Sequence, residues 1–113
     1  MPKLALRAQD MERITRRRDL ALRRANEVCE YLCSLGAKEV FLFGSALSDD
    51  FRDYSDIDLA VAGLPREHMY RVEAEIERML AGMPFDLVYL ETAPDYLGQK
   101  IRKEGKRYAC HIP

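Results

Sequence analysis

Two short runs of the chain decide its fold. The first is Glu39-Val40-Phe41-Leu42-Phe43-Gly44-Ser45; after ten intervening residues comes the second, Asp56-Ile57-Asp58-Leu59-Ala60-Val61-Ala62. Glu39 to Phe43 is compact, β-branched and aromatic, which predicts a buried strand that stops at Gly44-Ser45. Ser45 is placed to cap a short helix through Leu47 by accepting a hydrogen bond from an orphan backbone amide. Ser48 to Ser55 is polar and reads as a loop. Ile57 to Ala62 predicts a second strand, closed by Gly63 and Pro65.

The second run carries chemistry as well as a strand. Side chains two residues apart on a strand share a face, so Asp56 and Asp58 project together while Ile57 and Leu59 point into the core. Two adjacent like charges repel, and a divalent cation resolves the conflict. Mg²⁺ prefers hard oxygen ligands and takes one or two carboxylates together with substrate phosphates. Gly44-Ser45 supplies a complementary half. Glycine lets the backbone approach a phosphate closely, and amides opening a helix, with the Ser45 hydroxyl, offer donors to a triphosphate tail.

Outward from this centre, Met11, Ile14, Ala21, Ala25, Val28, Leu32 and Leu35 recur at helical spacing and predict a helix over about residues 9–35, with Gly36 as its cap. Met69, Val72, Ile76, Met79 and Leu80 predict another over Glu67 to Leu80, ended by Gly82 and Pro84. Phe85 to Leu90 reads as a third strand. Pro94 opens a last helix through Tyr96, Leu97 and Ile101, stopped at Gly105, and Lys106 to Ile112 suggests a short edge strand. A full helix between the second and third strands predicts a right-handed parallel crossover. The fold class is therefore α/β (α+β): a small mixed β-sheet flanked by helices.

Asp86 lies on the third strand between Phe85 and Leu87, on the face of Val88 and Leu90. A charge in such an apolar strand needs a partner or a metal. With the third strand beside the second, Asp86 joins Asp56 and Asp58 in a three-carboxylate cluster. Such a cluster suits two metals about 3.5–4 Å apart, which stabilise the attacking and leaving oxygens of an in-line phosphoryl displacement.

Composition sets limits. At 113 residues, 48% apolar and 33% charged, the chain has the size of one domain, with its core over about residues 39–108. A net charge of −1 gives no global attraction to nucleic acid or to acidic membranes. The charge is uneven all the same. Arg16, Arg17, Arg18, Arg23 and Arg24 form one basic stretch, and Lys100, Arg102, Lys103, Lys106 and Arg107 form another. No apolar run approaches the ~20 residues of a membrane helix. Three cysteines, in no framework spacing, favour a reducing cytoplasm. Cys29, Cys33 and Cys110 match no zinc pattern and read as buried small hydrophobes. Six scattered tyrosines form no stacking platform for single-stranded nucleic acid.

Phe43-Gly44-Ser45 followed by Asp56-Ile57-Asp58, with Asp86 in Phe85-Asp86-Leu87-Val88, resembles the signature of the DNA polymerase β-like nucleotidyltransferase superfamily. The small size and the helix ending Lys103-Glu104-Gly105 are similar to its minimal nucleotidyltransferases (MNT), partners of HEPN-domain toxins. Many members carry an arginine and a further glycine just after the Gly-Ser pair; here Ala46-Leu47-Ser48 stands instead, with Arg52 as the replacement cation. The resemblance implies Mg²⁺-dependent transfer of AMP from ATP to a protein hydroxyl. Asp56 and Asp58 hold both Mg²⁺ ions, Asp86 binds the catalytic one, and Gly44 and Ser45 hold the phosphates. It implies an antitoxin that AMPylates a tyrosine of a cognate HEPN RNase toxin and binds it in a hetero-oligomer. Two alternatives stand beside this: an antitoxin that acts by binding alone, and a small-molecule nucleotidyltransferase.

Overall fold

The computed structural model describes residues 8–44 and 56–110, with side chains from residue 16 onward. Its elements run α1 (Ala8–Ser34), β1 (Glu39–Phe43), β2 (Ile57–Ala62), α2 (Arg66–Leu80), β3 (Phe85–Tyr89), α3 (Asp95–Glu104) and β4 (Lys106–Tyr108). Each long element expected from periodicity is present, with ends shifted by a residue or two. The short helix after Ser45, the polar loop to Ser55 and the substitute Arg52 fall outside the described residues.

The four strands form one mixed sheet in the order β3-β2-β1-β4. β1 is antiparallel to both β2 and β4. β2 and β3 run parallel, which needs a crossover, and α2 is that crossover. The ladder continues past the strand ends: the Leu90 amide donates to the Val61 carbonyl at 2.9 Å, and the Lys38 amide to the Ala62 carbonyl at 2.9 Å.

Alternation along the strands splits the apolar residues between two faces. On one, Ile57, Leu59, Val61, Val40, Leu42 and Leu87 pack against Ala25, Val28 and Leu32 of α1 and Val72, Ile76 and Leu80 of α2. Leu59 is wholly buried there. Burying one such side chain contributes about 1.5–3 kcal/mol. On the other face a smaller cluster of Phe41, Ala60 and Ile101 seats α3, with Phe43, Val88, Leu90 and Leu97 at its edge. Met69, Met79 and Met83 pack around the larger core as filler. No polar side chain is buried among the described residues.

Gly36 caps α1 as its position predicts. It sits at φ +101°, its amide donates to the Cys33 carbonyl at 3.0 Å, and the Ala37 amide reaches back to Leu32 at 3.3 Å. This pair of bonds satisfies carbonyls the helix end leaves open. Arg24 departs from the solvated arginine face: its Nη1 donates to the Met79 carbonyl at 3.2 Å and ties α1 to the end of α2.

The cysteine reading needs correction. Cys33 and Cys110 are joined in a disulfide, with Cα atoms 5.4 Å apart, whereas Cys29 is free and buried. β4 pairs with β1 and so delivers the chain end to the last turn of α1, which brings two cysteines 77 residues apart into bonding distance. Cys29 is the small buried hydrophobe expected of all three; burial pushes its thiol up to about 12. Among the described residues no helix is long and apolar enough to cross a membrane.

Candidate active site

The site lies where β1 ends and β2 and β3 begin. Asp58 pairs in register with Phe43 on one side and with Asp86 on the other. Neighbouring strands lie roughly 4.8 Å apart, so the Asp58 and Asp86 carboxylates stand side by side on the face that carries α3. Asp56 precedes the first residue of β2 on the same side. Asp58 is half-buried, while Asp56 and Asp86 are exposed.

Gly44 closes this arrangement from the end of β1. It adopts φ +82°, and a Cβ built on it would fall 2.0 Å from Asp58 Oδ2. No side chain fits in that gap. Gly44 therefore answers two demands together, a left-handed turn and a backbone that lies against a carboxylate. Its partner in the expected phosphate-binding pair, Ser45, lies outside the described residues.

Electrostatics mark Asp58 as the strained member. Burial pushes its carboxyl up from 3.8 to about 6, and the neighbouring charges of Asp86 and then Asp56 push in the same direction. Asp86 and Asp56 thus both act on Asp58, one from the neighbouring strand and one from just before its own. Among the described residues no three His, Cys, Asp or Glu side chains are gathered as a ready-made metal cage. What the fold supplies is a pair on adjacent strands with a third acid at the strand entrance. Hard oxygen donors held near one another, with their mutual repulsion uncompensated, fit a divalent cation such as Mg²⁺.

A cavity of about 380 Å³ opens beside the acids. Phe43, Gly44 and Asp58 line it from the sheet, and Leu97, Lys100, Ile101 and Glu104 line it from α3. The α3 residues were not among those singled out for the site from sequence, where Lys100 read only as part of a basic stretch. Their spacing offered a signal: positions 97, 100, 101 and 104 fall on one face of a helix. The end of α3 is held down by close packing of Gly105, where an added Cβ would lie 2.6 Å from the Ile101 carbonyl oxygen and 3.3 Å from that of Leu42.

Left-handed Gly44 against Asp58, a parallel Asp58–Asp86 pair and a cavity roofed by a helix thus gather at one edge of the sheet. The chain belongs to the polymerase β nucleotidyltransferase family, whose model matches residues 26–111. It has the mixed sheet with flanking helices of that fold. The solved structure of a candidate minimal nucleotidyltransferase is 31% identical, covers 74% of this chain and 89% of its own, and superposes with a TM-score of 0.60. A toxin-antitoxin structure with AMP-PNP is 24% identical over 75% of this chain and 69% of that one, with a TM-score of 0.58. The toxin-antitoxin MntA-HepT is 23% identical over 79% and 69%, with a TM-score of 0.52, and shares the fold. No curated protein matches the chain.

Proposed function

We propose that this nucleotidyltransferase moves AMP from ATP to a hydroxyl of a protein partner, a tyrosine of a HEPN-domain toxin, and so acts as an antitoxin. The observation that carries the chemistry is the side-by-side register of Asp58 and Asp86 beside Gly44. Two carboxylates of this kind, with Asp56, form the donor set of a two-cation phosphoryl-transfer site. Support for the nucleotide and the partner comes from the similar structures, one a toxin-antitoxin with AMP-PNP and another the MntA-HepT pair.

In this reading Asp56, Asp58 and Asp86 hold Mg²⁺. When bound, the metal would supply charge stabilisation for the displacement. Gly44 leaves its backbone open to the phosphate tail, and the Ser45 hydroxyl donates to it. Asp86, exposed at the mouth of the site, accepts the proton of the acceptor hydroxyl. The acceptor oxygen forms a bond to the α-phosphorus, the bond from that phosphorus to the β-phosphate bridging oxygen breaks, and pyrophosphate leaves. The exposure of Asp56 and Asp86 leaves room for a macromolecular acceptor to approach. The 113 residues serve as one catalytic unit.

The test is direct. The Asp56→Asn, Asp58→Asn variant, incubated with the toxin and α-labelled ATP, transfers no label to it, whereas the unsubstituted protein does. Label retained by the variant sinks the assignment. A variant that transfers no label yet still neutralises the toxin shows that binding alone is the antitoxin mechanism.

A further inference from the structure

We infer that Lys100 of α3 is the residue that meets the charge of the nucleotide's β and γ phosphates. The inference rests on the nucleotidyltransferase reading above and adds to it a binding residue from an element outside the Gly-Ser and Asp-x-Asp runs.

The argument is one of charge and position. The cavity beside Asp58 is lined by two carboxylates, Asp58 and Glu104, and by one cation, Lys100, among the described residues. Asp86 adds negative charge from the adjacent strand, as its effect on Asp58 shows. α3 turns the face of Leu97, Lys100, Ile101 and Glu104 to the cavity, so Glu104 in its last turn adds a carboxylate from the helix side. A triphosphate entering this space meets acids on the sheet side and Glu104 on the helix side. Divalent cations would answer the sheet carboxylates, and Glu104 would still face the far phosphates.

Lys100 is the group placed to answer them. It sits one helical turn before Glu104, it shares the cavity lining with Gly44, and it has no ion-pair partner among the described residues. Three other basic side chains of the second basic stretch lie elsewhere. Arg102 is paired with Glu39 at the far edge of β1 and lies over the Phe41 ring, while Lys106 and Arg107 line a separate hollow near Cys29. A lysine suits the task because its ammonium is a compact charge on a flexible stem that can follow a phosphate. Phe43, Leu97 and Ile101 give the cavity an apolar floor and wall, and among the described side chains that line it the polar ones are Lys100, Glu104 and Asp58.

Lys100 is exposed, so its replacement leaves the fold intact. The experiment is calorimetric titration of MgATP and, separately, AMP into the full chain and into Lys100→Gln, Lys100→Arg and Glu104→Gln. Lys100→Gln is expected to weaken MgATP about tenfold, roughly 1.4 kcal/mol for a lost charged hydrogen bond, and AMP by less than about twofold. Lys100→Arg recovers most of the loss, and Glu104→Gln tightens MgATP by removing a repelling charge. Equal effects of Lys100→Gln on MgATP and AMP, or no effect on either, overturn the inference while the unsubstituted protein still binds MgATP. Failure of the unsubstituted protein to bind MgATP overturns the nucleotidyltransferase reading, and this inference with it.

Discussion

The two faces of the sheet do different work, and β2 shows both within six residues. Ile57, Leu59 and Val61 point into the core under α1 and α2, where no polar side chain is buried among the described residues. Asp58, on the opposite face, looks toward α3 across a cavity and carries a carboxyl held above its ordinary range. The first face is wholly apolar at its centre, while the second combines the small Phe41, Ala60 and Ile101 cluster with the carboxylates at its edge. Strand alternation makes this division possible, because a change on one face leaves the neighbours of the other in place. The fold therefore stores its stability away from its chemistry.

The most damaging way to break the packed face is Leu59→Ala. This substitution empties a fully buried position and is expected to destabilise the protein by about 2–5 kcal/mol in urea unfolding. MgATP affinity measured well below the transition stays within about twofold. A large affinity loss in the still-folded variant would mean that the faces are coupled.

Gly44→Ala strikes the open face instead. Its Cβ meets Asp58 Oδ2, and the left-handed backbone adds a penalty of roughly 1–2 kcal/mol. Nucleotide affinity is expected to fall about 10–100-fold, as for other groups that orient metal ligands. A smaller loss of stability than in Leu59→Ala accompanies it.

Asp58→Asn sharpens the contrast by moving stability the other way. The folded-state pKa of Asp58 is raised above its ordinary value, so the favourable contribution of this group is present at low pH. It is lost as pH rises from 3.8 through about 6. The amide removes that penalty. In the presence of EDTA at pH 8 the variant is expected to melt roughly 3 °C higher, corresponding to about half a kcal/mol once solvent screening is allowed for. At pH 4 the difference vanishes. A lower melting point at pH 8 would show that the carboxylate supports the fold.

Another small effect belongs to the Glu39–Arg102 pair at the sheet edge. Arg102 holds the Glu39 carboxyl below its usual range, chiefly by hydrogen bonding, so its contribution is present at neutral pH and lost on acidification. Both side chains are solvent-facing, and Arg102→Gln is expected to lower stability by at most ~1 kcal/mol with transfer activity unchanged. Urea titrations at pH 7 and pH 3 check this, since the difference between variant and parent shrinks at the lower pH.

How much of this was legible in the sequence follows from how local each signal is. The strands around Gly44 and Asp58 were readable because alternation, glycine placement and the second carboxylate fall within a few residues. The pairing of Asp86 with Asp58 followed from one helical crossover. The Cys33–Cys110 bond did not, since it depends on β4 returning beside β1 at the end of the chain. Lys100 was hidden for a related reason. A lysine on an amphipathic helix reads as solvated surface until the helix is docked, and only then does its face turn out to roof the acids.

The central claim is that the open face performs AMP transfer while the packed face keeps the fold. Intact mass measurement of the toxin, after incubation with MgATP and either the unsubstituted protein or Asp58→Asn, tests it most directly. The account predicts added AMP units with the unsubstituted protein and none with Asp58→Asn, although that variant is at least as stable without metal. An equal gain in mass with both proteins would contradict it.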